Sequence, residues 1–116
     1  MDYFEKAKDM YYSQNYKGAL FLYQKALEER ENITAALYNC GVCLIKLKDY
    51  KEAIPLFKSA LIRKSDSKYF FNLAYCYAML QDKKKALIYF NSAWALNHED
   101  NDCDKAIRLL LENYKK

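Results

Sequence analysis

The chain has little of what interrupts a helix. Its 116 residues include two glycines, Gly18 and Gly41, and one proline, Pro55. An all-β or βαβ fold needs more turn chemistry than that, so a helical protein with short connections is expected. Histidine is nearly absent. His98 stands alone, which excludes a metal cluster or relay built on two imidazoles. No apolar run reaches the length of about 18 residues that a membrane span needs. The opening "MDYFEKAKDM" lacks the basic and apolar regions of an export signal. No P-loop, GxGxxG or nucleophile elbow is present. The expectation is a cytoplasmic protein with no membrane partner and no catalytic residues.

Charge of either sign is also modest. Nineteen basic and 15 acidic residues give a formal net charge of +4, too small to imply nucleic acid. Four cysteines, Cys40, Cys43, Cys76 and Cys103, fit no disulfide framework and should stay reduced. "CGVC" at 40–43 has the C-x-x-C spacing, but it falls inside a helical pattern and no second pair completes a metal site. Buried, unreactive thiols are expected. "DNDCD" at 100–104 imitates the start of a calcium loop. Lys105 stands where the glycine is required and Leu111 where the distal glutamate is, so these acids are assigned to a helix start. No cofactor and no metal is expected. "DKKK" at 82–85 is read as a solvated turn.

What the chain does have is hydrophobic residues, 53%, with 12 tyrosines and 6 phenylalanines, and a repeat. "NYKGALFLYQKAL" at 15–27 returns as "DYKEAIPLFKSAL" at 49–61 and "DKKKALIYFNSAW" at 82–94. Ala19, Ala53 and Ala86 fall in one column, with Tyr23, Phe57 and Phe90 in the next and Ala26, Ala60 and Ala93 after them. The spacing is 34 residues and then 33. Upstream, Tyr3, Leu37 and Phe70 form a column, followed by Ala7, Gly41 and Ala74. Each unit therefore holds two helices, near 2–14 and 17–30, 34–47 and 51–63, and 67–80 and 84–96. Turns of about three residues between them make neighbours antiparallel. In the second helix, Ala–aromatic–Ala at i, i+4 and i+7 shares one face: alanine lets backbones approach and the aromatic fills the space between. One hairpin cannot bury its apolar face; three stacked ones can. Pro55 is placed in the first turn of its helix, where amides lack intrahelical partners. The last segment, about 101–115, carries Ile107, Leu110, Leu111 and Tyr114 as a stripe, with Asp102 and Asp104 at its start and Lys115 and Lys116 at its end. It reads as a capping helix on a single domain, 1–116, of units about 1–33, 34–66 and 67–99.

These columns resemble the tetratricopeptide repeat, and "LYNCGVCLIKLKDYKEAIPLFKSAL" at 37–61 is the best copy. The resemblance covers three full units plus the cap, nearly the whole chain. Three departures from the pattern occur: Glu31, Ser65 and His98 replace the unit-ending proline, Lys83 replaces a turn tyrosine, and Lys6 occupies a usually apolar slot. The resemblance implies an all-α, right-handed α-solenoid. It also implies a protein–protein interaction scaffold that holds a peptide in a concave groove lined by the first helices.

The repeat geometry assigns Phe70, Leu73, Ala74 and Tyr77 to internal packing. It leaves Phe71, Tyr75, Ala78 and Met79 facing the groove from the third unit, Tyr38, Val42, Ile45 and Lys46 from the second, and Phe4, Lys8, Tyr11 and Tyr12 from the first. Asn39 and Asn72 occupy equivalent positions and can offer donor and acceptor to a peptide backbone. Lys8, Lys46 and Lys68 favour an acidic segment or a terminal carboxylate. In some family members a carboxylate clamp grips a C-terminal acid. Asn39 and Lys68 match two of its positions, whereas Phe4, Lys8 and Asn72 do not, so a hydrophobic or mixed peptide is expected instead. The alternative is a self-associating module whose groove is filled by another copy.

Overall fold

In a computed structural model, residues 2–114 are described. They form seven helices: α1 Tyr3–Tyr12, α2 Tyr16–Glu28, α3 Ile33–Lys46, α4 Tyr50–Arg63, α5 Ser67–Met79, α6 Lys83–Leu96 and α7 Asn101–Tyr114. No strand occurs among the described residues. Helices pair as α1–α2, α3–α4 and α5–α6, each hairpin stacks on the next, and α7 packs on α6. The architecture is an α-solenoid of three hairpins and a cap.

The turns explain why so few glycines suffice. Gln14, Lys48 and Gln81, one per hairpin, take positive φ of 65°, 65° and 68°. Each sits at the same point of the same motif. The amide of the following residue reaches back to the carbonyls of Met10, Leu44 and Tyr77 at 2.9, 2.8 and 2.9 Å. These bonds close the helix C-terminus in Schellman fashion. That following residue, Asn15, Asp49 or Asp82, is also the N-cap of the next helix. Asn15 and Asp82 accept from the amides of Gly18 and Lys85 at 2.9 and 3.1 Å. One residue thus ends one helix and starts another, so the connection stays about three residues long.

The repeat columns form the core. Ala19, Ala26, Ala53, Ala60, Ala86 and Ala93 are fully buried, with Tyr23, Phe57 and Phe90 between them. Four details differ from expectation. Pro55 is the sixth residue of α4 rather than part of its first turn, and it cannot donate to the Lys51 carbonyl. Both residues are exposed, so water can satisfy that carbonyl. In α5, Tyr69 is buried while Phe70 is only half-buried and stacks on Tyr89 at 6.4 Å. The helix is rotated so that Tyr69, and Ala36 at the equivalent place in α3, face the neighbouring hairpin. In α7 the buried seam is Cys103 and Leu110 with Ala106 and Ile107 half-buried, while Leu111 is exposed. Finally, Glu31 does what a proline cannot: its Oε1 accepts from the Phe4 amide at 3.1 Å, tying the α2–α3 turn to the start of α1. The Tyr114 side chain, Lys115 and Lys116 lie outside the described residues.

All four thiols are free and buried. Burial pushes each up to about 12, with Asp100 adding to the effect at Cys103. A thiol held that far above neutrality carries almost no thiolate, the form that attacks or binds a metal. Among the described residues, no three His, Cys, Asp or Glu side chains are grouped to hold a metal. No helix is long and apolar enough to cross a membrane. His98 stacks on Trp94 at 4.6 Å.

Candidate functional site

The first helices of the hairpins, α1, α3 and α5, line a concave trough made of three cavities that share walls. The first, about 260 Å³, is lined by Phe4, Lys8, Tyr11, Tyr12, Tyr38, Asn39 and Val42, with Tyr23 behind them. The second, about 360 Å³, shares Tyr11, Tyr38 and Val42 with it and adds Ile45, Lys46, Phe71, Asn72 and Tyr75. The third, about 110 Å³, shares Phe71 and Asn72 and adds Lys68. Shared residues make the three continuous along the solenoid. Met79 is exposed and does not line them; Ala78 is half-buried against the α5–α6 core.

The aromatic residues of the trough do two jobs. Phe4 meets Tyr23 edge-on at 5.6 Å, Tyr38 meets Phe57 at 5.8 Å, and Phe71 meets Phe90 at 5.3 Å, with interplanar angles of 65°, 62° and 67°. The contact recurs in all three hairpins and locks each first helix to the aromatic column of its partner. Phe4 lines the first cavity from below rather than standing at its rim. At 9% exposure it belongs to the core and forms the floor of the first cavity. Tyr38 and Phe71 are half-buried, with one edge in the core and one in the trough. Tyr12 is the opposite case, 77% exposed at the rim.

Polar groups are placed unevenly. Asn72 donates to the Tyr38 hydroxyl at 3.2 Å and to the Lys68 carbonyl at 2.9 Å. Its amide hydrogens are thus committed within the chain, which corrects the expectation that it offers both donor and acceptor; only its carbonyl oxygen is left. Burial raises the Tyr38 hydroxyl above its usual range, with Asp66 adding to the effect and the Asn72 bond opposing it, so it stays protonated. Lys8 lies 3.6 Å from Glu5, and the Lys46 ammonium sits 5.9 Å from the centre of the Tyr16 ring. Lys68 does not stand in a purely basic environment, because Asp100 and Asp102 line the same cavity. The acids come from the start of α7. Asp100 accepts from the amides of Asp102 and Cys103 at 3.0 and 3.1 Å, so capping the helix also delivers charge to the trough. The sequence gives no signal for this, since it does not say where the cap folds back. The trough is basic toward α1 and α3 and acidic where α7 closes it.

Comparison with known proteins fits this fold. A tetratricopeptide repeat family model matches residues 10–71, and a second matches residues 69–97. No curated protein sequence matches the chain. Among solved structures, YrrB, described as a TPR protein with an unusual peptide-binding site, is 28% identical with a TM-score of 0.86. The alignment covers 97% of this chain and 58% of YrrB. The first TPR of Spaghetti (RPAP3), bound to the HSP90 peptide SRMEEVD, is 16% identical with a TM-score of 0.93, over 98% and 91% of the two chains. MamA from Desulfovibrio magneticus RS-1 is 20% identical with a TM-score of 0.90, over 97% and 64%. The chain thus spans about three fifths of the length of YrrB and MamA. With more than half of its residues matched by one family model and its hairpins stacked as described, the chain belongs to the tetratricopeptide repeat family.

Proposed function

We propose that the chain is a binding scaffold, not an enzyme, and that it holds an extended segment of another protein in the trough along α1, α3 and α5. The observation that carries this is continuity: three cavities joined by shared aromatic and aliphatic walls make a channel suited to a chain rather than a compact ligand. Relatives of the same fold support the reading. Spaghetti binds an HSP90 peptide, and the Yersinia enterocolitica chaperone SycD binds a peptide of the translocator YopD. Rigid aromatic walls give contact area at low entropic cost. Charge sets a preferred direction. An acidic side chain or terminal carboxylate suits the end with Lys8 and Lys46, and a cationic group suits Asp100 and Asp102.

The test is selection from a random displayed peptide library, followed by fluorescence anisotropy on a selected peptide and amide-shift mapping. Tyr12→Ala, at the exposed rim, is expected to weaken binding by about 1–2 kcal/mol without unfolding the chain. Lys46→Glu should weaken peptides with acidic groups more than neutral ones. Shifts confined to the α2–α4–α6 side, or affinity unchanged in both variants, sink the proposal. A concentration-dependent mass in sedimentation that Tyr12→Ala abolishes would put a second copy of the chain in the trough instead.

A further inference from the structure

A cavity of about 420 Å³, larger than any along the trough, lies where the α2–α3 and α4–α5 connections meet. It shares no lining residue with the trough. Three of its side chains are cationic: Arg30, Arg63 and Lys64. Arg30 and Arg63 stand one repeat apart, at the ends of successive second helices, so stacking of the hairpins brings them to the same opening. The Nε of Arg63 donates to Thr34 Oγ1 at 3.0 Å, which holds the guanidinium across the start of α3 and leaves its terminal nitrogens as donors. Asp66 lies 3.9 Å from Lys64 and also caps α5 through the Lys68 amide at 2.8 Å. Three cationic side chains and no acidic one line the cavity, which leaves the opening positive.

The start of α3 adds donors. Asn32 precedes it with φ of 45° and its side chain caps nothing. The first intrahelical bond runs from Ala36 to the Asn32 carbonyl at 2.8 Å. The amides of Ile33, Thr34 and Ala35 therefore find no acceptor among the described residues, and all three residues line the cavity. Uncapped amides at the positive end of a helix dipole are suited to an anion. A separate feature points to a ligand as well. Tyr69 is only 6% exposed and lines the cavity, yet its hydroxyl makes no hydrogen bond among the described residues. It is not sealed in the core either, because no fully buried side-chain polar atom lacks a partner. Burial, and then Asp66, raises it above the usual tyrosine range, so it remains a donor. Tyr69, the three residues with idle amides and three cations line one opening.

We propose that this cavity is a binding site for a phosphate-class oxyanion, held by the α3 amides, the Tyr69 hydroxyl and the Arg30 and Arg63 guanidinium groups. Phosphate suits the site better than a carboxylate, since its three or more oxygens can engage amides and two guanidinium groups together. The site is separate from the trough, so occupying both at once is allowed.

The test is an NMR titration of the full chain with inorganic phosphate and with N-acetyl-phosphoserine amide, against chloride at matched ionic strength. Saturable shifts at Thr34 and Ala35 are expected, with a Kd of about 1 mM or tighter. Equal affinity for the two probes assigns the site to the free ion; tighter binding of the phosphoserine probe assigns it to a phosphorylated side chain. Arg30→Gln with Arg63→Gln should weaken binding by at least about tenfold. Asn32→Asp is the variant that does not depend on losing structure. It places a carboxylate at the uncapped helix, and is expected to raise thermal stability while abolishing phosphate binding. Shifts no larger than those with chloride, or binding that survives Asn32→Asp and the double arginine change, would overturn the proposal.

Discussion

Gly41 has no room for a side chain. A Cβ there would lie 2.6 Å from Phe57 Cζ, and the Phe57 ring is fully buried and cannot step aside. Ala7 and Ala74 occupy the same column in the other two hairpins and are fully buried. The column tells that a small residue is needed; only the distance tells that alanine is already too large. Gly41→Ala should gain about 1 kcal/mol of helix propensity. It should lose about 1–3 kcal/mol to overpacking, and the loss wins because the ring is enclosed. The expected outcome is a lower urea midpoint with unchanged slope; a higher midpoint would show that Phe57 can move. Phe4, Asn72 and Tyr69 make the same point about legibility. Their residue types are right for a groove or a core, yet their burial and hydrogen bonds depend on a rotation of a few tens of degrees about a helix axis, which the pattern of one sequence does not resolve.

At the scale of the element, the helices were the most legible part. Their ranges follow from the 3.6-residue pattern and from the turn signals, and the observed ends differ by at most two residues. The discrepancy is largest at the ends of α1 and α2, where Gln14 and Arg30 adopt positive φ and close the helix early. Non-glycine residues in that conformation carry no sequence signal. Pro55 is the element-level misplacement with a consequence. At the sixth position of α4 it removes an intrahelical bond, and its ring crowds the preceding turn. Because it is exposed and touches no recognised site, Pro55→Ala should stabilise the chain by about 1–3 kcal/mol. Thermal unfolding checks it, and a melting temperature that stays or falls would mean the proline relieves a strain elsewhere in α4. The cap shows the opposite limit. The periodicity of α7 announces an amphipathic helix, but its register against α6 was shifted, with Leu110 buried and Leu111 exposed.

The whole molecule is a rod of 52 × 24 × 21 Å. Its radius of gyration, 14.8 Å, exceeds the roughly 13 Å of a compact chain of this size. Contacts run mainly between successive helices, and the one between α3 and α5 is minor, so the core is a line of small clusters rather than one mass. Cysteines sit along that line, and global unfolding exposes all of them. This gives stability a definite response to alkali. In the folded chain the four thiols are pushed up to about 12, whereas unfolded thiols titrate near about 8.5. Above that pH the unfolded state has released protons that the native state still holds, so stability falls as pH rises. It is fully present below about 8.5 and is lost progressively toward about 12. Urea midpoints at neutral pH and at several values above it should trace this decline, and a chain with all four cysteines replaced by alanine should show a flatter one. Tyr23, raised by its burial, bends the curve in the same sense at higher pH.

The sequence by itself determined that the chain is a stack of helical hairpins. A repeated column of Ala, aromatic and Ala fixes which face is buried whatever the neighbours are, because close helix contact tolerates few other residues. The place of the trough along the first helices was what the resemblance to the tetratricopeptide repeat implied. The tertiary structure decided what the trough and the unit junctions contain. It turned Phe4 into floor, spent the hydrogens of Asn72 on Tyr38 and Lys68, and set Asp100 and Asp102 beside Lys68. It also gathered Arg30, Arg63 and the open start of α3 around Tyr69. These arrangements join residues about 30 positions apart, and their geometry comes from how one hairpin is rotated onto the next. That rotation is set by the summed packing of whole faces, so no local pattern in the chain encodes it.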